Sequence, residues 1–177
     1  MRRYRGVRAF CARSRENFGM ATVLFCTDGS ERAREAIDRA RVLLQPASRV
    51  VLVTVTSGVD PSLVTGTGMA AGVMSLEERE NLIDIQRNEA VTMLTDLVAD
   101  LELVGSLETG GDGEVEVEVR IGDAGREIVD LATDLPADVV VLGTSGHGGF
   151  RRAVLGSVSD HVVRHSPCPV LVSSHAE

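Results

Sequence analysis

Residues 139–159 read VVVLGTSGHGGFRRAVLGSVS and decide the fold, because they join an apolar run, a glycine-rich loop and a Gly-Ser helix start without interruption. Asp138–Leu142 reads as a short strand buried on both faces. Gly143, Gly146 and Gly156 then follow in a G-x2-G-x9-G-S spacing that ends on Ser157. Glycines let backbone N–H groups approach a phosphate with no side chain between them. A helix opening at Gly156-Ser157 turns its unpaired donors and the positive end of its dipole toward the same anion. The tract has neither the Gly-Lys-Ser/Thr of a Walker loop nor the G-x-G-x-x-G of a dinucleotide fingerprint. It reads as a nucleotide cradle; a βα connection that binds nothing is the plain alternative.

Upstream, the pattern alternates between strand and helix. Thr22–Thr27 is an apolar run ending in Asp28-Gly29-Ser30, and Glu31 to Leu44 carries Ala33, Ala36, Ile37, Ala40 and Leu44 at helical spacing until Pro46 stops it. Val50–Thr56 is a β-branched strand. Residues 57–74 have no period and read as a long loop, either a lid or disordered. Ser75 with Glu77 and Glu78 starts a helix whose stripe of Ile83, Ala90, Leu94, Leu97, Val98 and Leu101 runs to about Val104. Gly105–Gly113 is a flexible turn. Glu114–Ile121 alternates Glu with Val, as a strand with one wetter face does near a sheet edge. Asp123–Leu135, with Ile128, Val129, Leu131 and Ala132 inward, is a helix closed by Pro136. Ser157–His165 is the last helix and Pro169–Ser173 the last strand. Strands alternating with helices specify an α/β fold, a single-domain doubly wound parallel sheet with helices on both faces.

Composition narrows the function. At 177 residues the chain has room for one domain burying roughly 70% of its unfolded surface. Its net charge of −8 and four Phe, one Tyr and no Trp leave neither a basic field nor a stacking surface for nucleic acid. No apolar run approaches the ~20 residues of a membrane span, so no membrane partner is expected. All 18 basic residues are Arg, which removes lysine as a phosphate ligand or nucleophile. Cys11, Cys26 and Cys168 are too few and scattered for a disulfide framework, and a reduced cytoplasm fits them; Cys26 and Cys168 read as buried small residues. Residues 1–19 form a basic lead of six Arg and one Glu, leaving the rest at −13. No apolar core of 7–15 residues follows, so a secretory signal fails. The expected domain is 20–177, with Met20 the expected start and the lead disordered.

The glycine spacing resembles the ATP-binding signature of the universal stress protein family, and the resemblance extends from about Thr22 to Ser173. It implies a Rossmann-like five-stranded sheet of order 3-2-1-4-5, ATP with Mg²⁺ as ligand and cofactor, and a homodimer through the last strand. That order reverses between strands 1 and 4, where open α/β sheets bind ligands. Carried over by motif, Cys26, Thr27 and Asp28 fall on the nucleoside contacts and Val55 on the backbone that reads the adenine edge. Leu142, Gly143, Gly146 and His147 fall on the phosphate loop, and Gly156, Ser157, Val158 and Ser159 on the phosphate- and ribose-binding helix start. Through Mg-ATP, Asp28 would lie near the metal. Ser145 departs from the Arg or His that many members carry, and Arg151 and Arg152 can return a charge from the far side of the loop.

Several of these residues have a second reading. Asp28 also fits a turn or N-cap beside Gly29, with Ser30 available for the same task. His147 suits an exposed loop position better than acid–base work, since no acidic partner orients it. His161 and His165, at i, i+4, fit a helix C-terminus better than a metal site. With no Lys, no placed general base and no carboxylate pair, no residue is assigned a catalytic role. The implied function is a nucleotide-responsive stress or regulatory binding module with an unknown protein partner. A slow ATPase or autophosphorylating enzyme using Asp28, and an interaction protein of the same fold without nucleotide, are the alternatives. Deleting residues 1–19 is expected to leave thermal stability and ATP affinity unaltered; a melting midpoint lowered by several degrees would show instead that Phe10 or Phe18 docks on the body.

Overall fold

The computed structural model describes residues 21–44, 47, 49–58, 75–103, 114–144 and 155–173. Their elements run β1 (Thr22–Cys26), α1 (Glu31–Leu43), β2 (Arg49–Thr56), α2 (Leu76–Asp100), β3 (Glu114–Ile121), α3 (Ala124–Asp134), β4 (Val139–Gly143), α4 (Ser157–His165) and β5 (Val170–Ser173). The strands form one parallel sheet in the order β3-β2-β1-β4-β5. The expected doubly wound architecture and strand order are both present.

Alternate strand residues bury against opposite layers, which is why the strands read as near-continuous apolar runs. Val23, Phe25, Val50, Leu52 and Val141 pack with Ile37 and Ala40 of α1 and Leu94 and Leu97 of α2. Leu24, Cys26, Val51, Val53, Val140 and Leu142 pack with Ile128, Leu131 and Ala132 of α3 and Val162 of α4. Leu94 is wholly buried, and truncating such a side chain to Ala typically costs about 2–5 kcal/mol.

Local chemistry sets the ends of the elements. Ser30 caps α1 by accepting the Ala33 N–H at 3.2 Å. Ser75 and Glu78 form a reciprocal capping box on α2, at 3.1 Å and 2.7 Å. The Ser75 backbone N–H, and then its hydroxyl contact, hold the Glu78 carboxyl below its ordinary value. Asp123 caps α3 through the Arg126 N–H. Helix α2 stops short of Val104: Glu102 turns left-handed at φ +48, and Val104 lies outside the described residues. Strand β4 starts one residue after the expected Asp138, because that residue clasps β1 instead. Its carboxylate accepts the Thr22 N–H at 2.7 Å, and its own N–H donates to the Thr22 carbonyl at 2.9 Å. Among the described residues no helix is long and apolar enough to cross a membrane.

The two sheet edges differ. Strand β3 carries Glu116 and Glu118, paired with Arg49 at 2.6 Å and Arg120 at 3.0 Å, whereas β5 is VLVS. The last strand starts at Val170 because Pro169 contributes only its carbonyl, to the Val140 N–H at 3.0 Å. At the other end the Thr144 N–H donates to the Ser173 carbonyl at 3.2 Å. Backbone groups of alternate strand residues point to opposite neighbours, so 169, 171 and 173 face β4 while Val170 and Val172 face the open edge. Leu171, the centre of the run, is therefore not the residue whose N–H is free for another chain.

Candidate functional site

The site begins where β1 and β4 end side by side. The register pairs Phe25 with Val141, so the residues that follow β1 and the end of β4 leave the sheet on the same side. After β1 the chain makes a tight, self-bonded turn. The Gly29 N–H donates to Thr27 Oγ1 and the Ser30 N–H to Asp28 Oδ1, both at 3.0 Å. Gly29 sits at φ +78, where a side chain is strained. Asp28 is exposed while Thr27 is buried. Thus Asp28 takes the turn-forming role directly, its carboxylate at the mouth of the site.

Gly143 packs beside α1. Its φ is not positive, and a Cβ built there would stand 3.8 Å from Ala33 Cα and from the Arg32 carbonyl oxygen, and 3.9 Å from Ala36 Cβ. The missing side chain faces the first turn of α1. That turn leaves room at the end of β4 for a methyl but not for a larger side chain.

Helix α4 starts just beyond the end of β4. Three helices have side-chain N-caps, but at α4 the N-cap is Gly156 and makes no such bond. Among the described residues no side chain accepts from the first N–H groups of α4. Ser157 and Val158 are exposed at this end. Ser159 is not: it is buried, and its hydroxyl lies 3.2 Å from the Thr144 carbonyl and 3.0 Å from the Gly156 carbonyl. The Gly156 N–H also donates to the Thr144 carbonyl, at 2.7 Å.

Cys26 and Leu142 are buried in the α3–α4 layer and Val55 packs partly against it, so their side chains are taken up by core packing. Burial, and secondarily Cys168, push the Cys26 thiol well above its ordinary range. It is an inert apolar wall. Cys168, expected buried, is half-exposed, because it lies in the turn before an edge strand. His161 and His165 stack at 4.3 Å, with His165 Nδ1 2.8 Å from the His161 carbonyl, and no group of three metal-binding side chains occurs among the described residues. Residues 1–19, Ser145, Gly146, His147, Arg151 and Arg152 lie outside the described residues.

Sequence reasoning did not find the cleft between α1 and α2. A volume of about 610 Å³ opens beside Thr27, Gly29 and Ser30 and is walled by Glu31, Glu89 and Asp96; Arg34 lines it too, bound to Asp100 at 2.9 Å. Its acids come from two helices, and no spacing within either one marks it.

The universal stress protein family model matches residues 20–174. The chain belongs to this family. Its relatives include the universal stress protein Sll1388 of Synechocystis sp., 34% identical over 164 residues, covering 89% of this chain and 99% of that protein. In structure this universal stress protein is similar to the hypothetical protein MJ0577, with TM-score 0.67 and 25% identity over 89% of this chain and 97% of the other. Two further structures share the fold. One is a universal stress protein solved with cAMP, at TM-score 0.57 and 20% identity, covering 89% of this chain and 98% of that one. The other is a family member from Arabidopsis thaliana with AMP bound, at TM-score 0.55 and 15% identity, covering 88% and 92%.

Proposed function

We propose that this protein binds ATP, with Mg²⁺ at the phosphates, and acts as a nucleotide-responsive binding module rather than a dedicated enzyme. The observation that carries the reading is the uncapped start of α4 at Gly156, tied at 2.7 Å to Thr144 just beyond β4, beside the β1 turn at the reversal of strand order. Thr27 and Asp28, with the backbone of Cys26 and Val55, would hold the nucleoside. Gly143, Gly146 and His147 with Gly156, Ser157 and Val158 would surround the phosphates, with Ser159 buried behind them. The acidic cleft on the α1–α2 side supports that direction, since Glu31, Glu89 and Asp96 repel a triphosphate and leave α4 as its end. Nucleotides bound in two family structures support the ligand class. Mg²⁺ would neutralise phosphate charge near Asp28. The residues present fit it only through the nucleotide, because no cluster of protein ligands is found among the described residues.

The test is mass spectrometry of nucleotide released by denaturing the purified protein, with calorimetry of ATP against the emptied protein. ATP recovered, or rebound with Mg²⁺, is the expected result. Neither one occurring would overturn the reading. Phosphate release above background that vanishes in Asp28→Ala would move it to a slow ATPase.

A further inference from the structure

The resemblance places Ser159 among the groups that touch the ligand, but its hydroxyl is turned away from the mouth. It lies against two carbonyls, those of Thr144 and Gly156, and it is only 3% exposed. Those carbonyls belong to the residue that leaves β4 and the residue that starts α4, the two ends of the glycine tract. A serine bonded to the carbonyl three residues back is a common local feature of helix starts. Here the second acceptor is fifteen residues back in the chain, on a different element. It also receives the Gly156 N–H at 2.7 Å. One hydroxyl proton serves both carbonyls, and toward Thr144 it ties the strand to the helix.

We propose that Ser159 is a positioning residue, whose hydroxyl clasps the neck of the 145–155 tract and holds the α4 N-terminus at the end of β4, without contacting the nucleotide. This rests on the reading of α4 as the phosphate end of the site. Holding the start of α4 against the end of β4 before binding lowers the reorganisation cost that binding must otherwise meet. A net hydrogen bond of about 1 kcal/mol corresponds to a factor of about five in affinity.

The experiment compares full-length wild type, Ser159→Ala and Ser159→Thr. Two quantities are measured: amide exchange at Gly156 in protein freed of nucleotide, and calorimetric affinity for ATP. In Ser159→Ala, Gly156 exchange is expected to accelerate severalfold and ATP affinity to fall about fivefold. Ser159→Thr, which keeps the hydroxyl, should return both to within about twofold of wild type. A residue that only touches the ligand leaves exchange in the empty protein unaltered, so unchanged Gly156 exchange overturns the proposal whatever the affinity does. Faster exchange with undiminished affinity overturns it too, as does a threonine variant that behaves like the alanine. If wild type binds no ATP, the functional reading fails, while the clasp stands or falls on the exchange measurement alone.

Discussion

Gly143→Val combined with Gly146→Val is expected to lower ATP affinity by well over tenfold, a loss of more than about 1.4 kcal/mol. At Gly143 the cause is packing. A Cβ there already stands at van der Waals distance from the backbone of Arg32 and Ala33, and the γ-methyls of valine reach about 1.5 Å beyond it. They would wedge α1 from β4 and separate the Thr27–Ser30 turn from the start of α4. At Gly146 the glycine spacing calls for backbone N–H groups bare of side chains near phosphate. Gly143→Ala alone meets only ordinary contacts and should stay within about threefold of wild type. Calorimetry showing unchanged ATP affinity in the double variant would remove the site from consideration.

The contrast between valine and alanine at Gly143 also marks where the sequence stops being legible. A glycine after an apolar run signals a loop, but whether its missing side chain faces phosphate or a neighbouring helix depends on α1, more than one hundred residues away in the chain. Elements were readable because their signals are local. Ser30, Ser75 and Asp123 stand where helices start, and the β-branched runs of β2 and β4 need no partner to be recognised. The strand order came from the resemblance, since no periodicity encodes which strands are neighbours. The N-terminal half of α2 has its large apolar side chains Leu82 and Ile85 exposed and Ile83 only half-buried, so its stripe became a burial signal only near Ala90. At the site, Gly143 lies against the first turn of α1, and Gly156 and Ser159 are bonded to Thr144 just beyond β4. The inward turn of Ser159 and the acidic α1–α2 cleft were hidden, because both depend on contacts between elements.

The edge of β5 supplies the second large effect. A homodimer is expected through this strand, since Val170, Leu171 and Val172 form an apolar edge with no charge or internal proline to block pairing. The opposite edge, β3, is guarded by Glu116 and Glu118. A two-fold axis lets the same backbone groups pair with their own copy. Only Val170 and Val172 offer those groups outward, the Pro169 and Ser173 carbonyls being bonded toward β4. Val172→Pro therefore removes one outward donor from each protomer, twice over in a symmetric pair, and keeps the bonds that hold β5 to β4. Proline is tolerated on an edge strand where the lost N–H faced solvent, so the monomer should still fold and bind nucleotide. Leu171→Pro instead deletes a donor facing β4 and should destabilise the sheet itself. By light scattering at tens of micromolar, wild type is expected to be dimeric and Val172→Pro largely monomeric, with a thermal midpoint above that of Leu171→Pro. A monomeric wild type, or a Val172→Pro protein that remains fully dimeric, would rule this edge out as the interface.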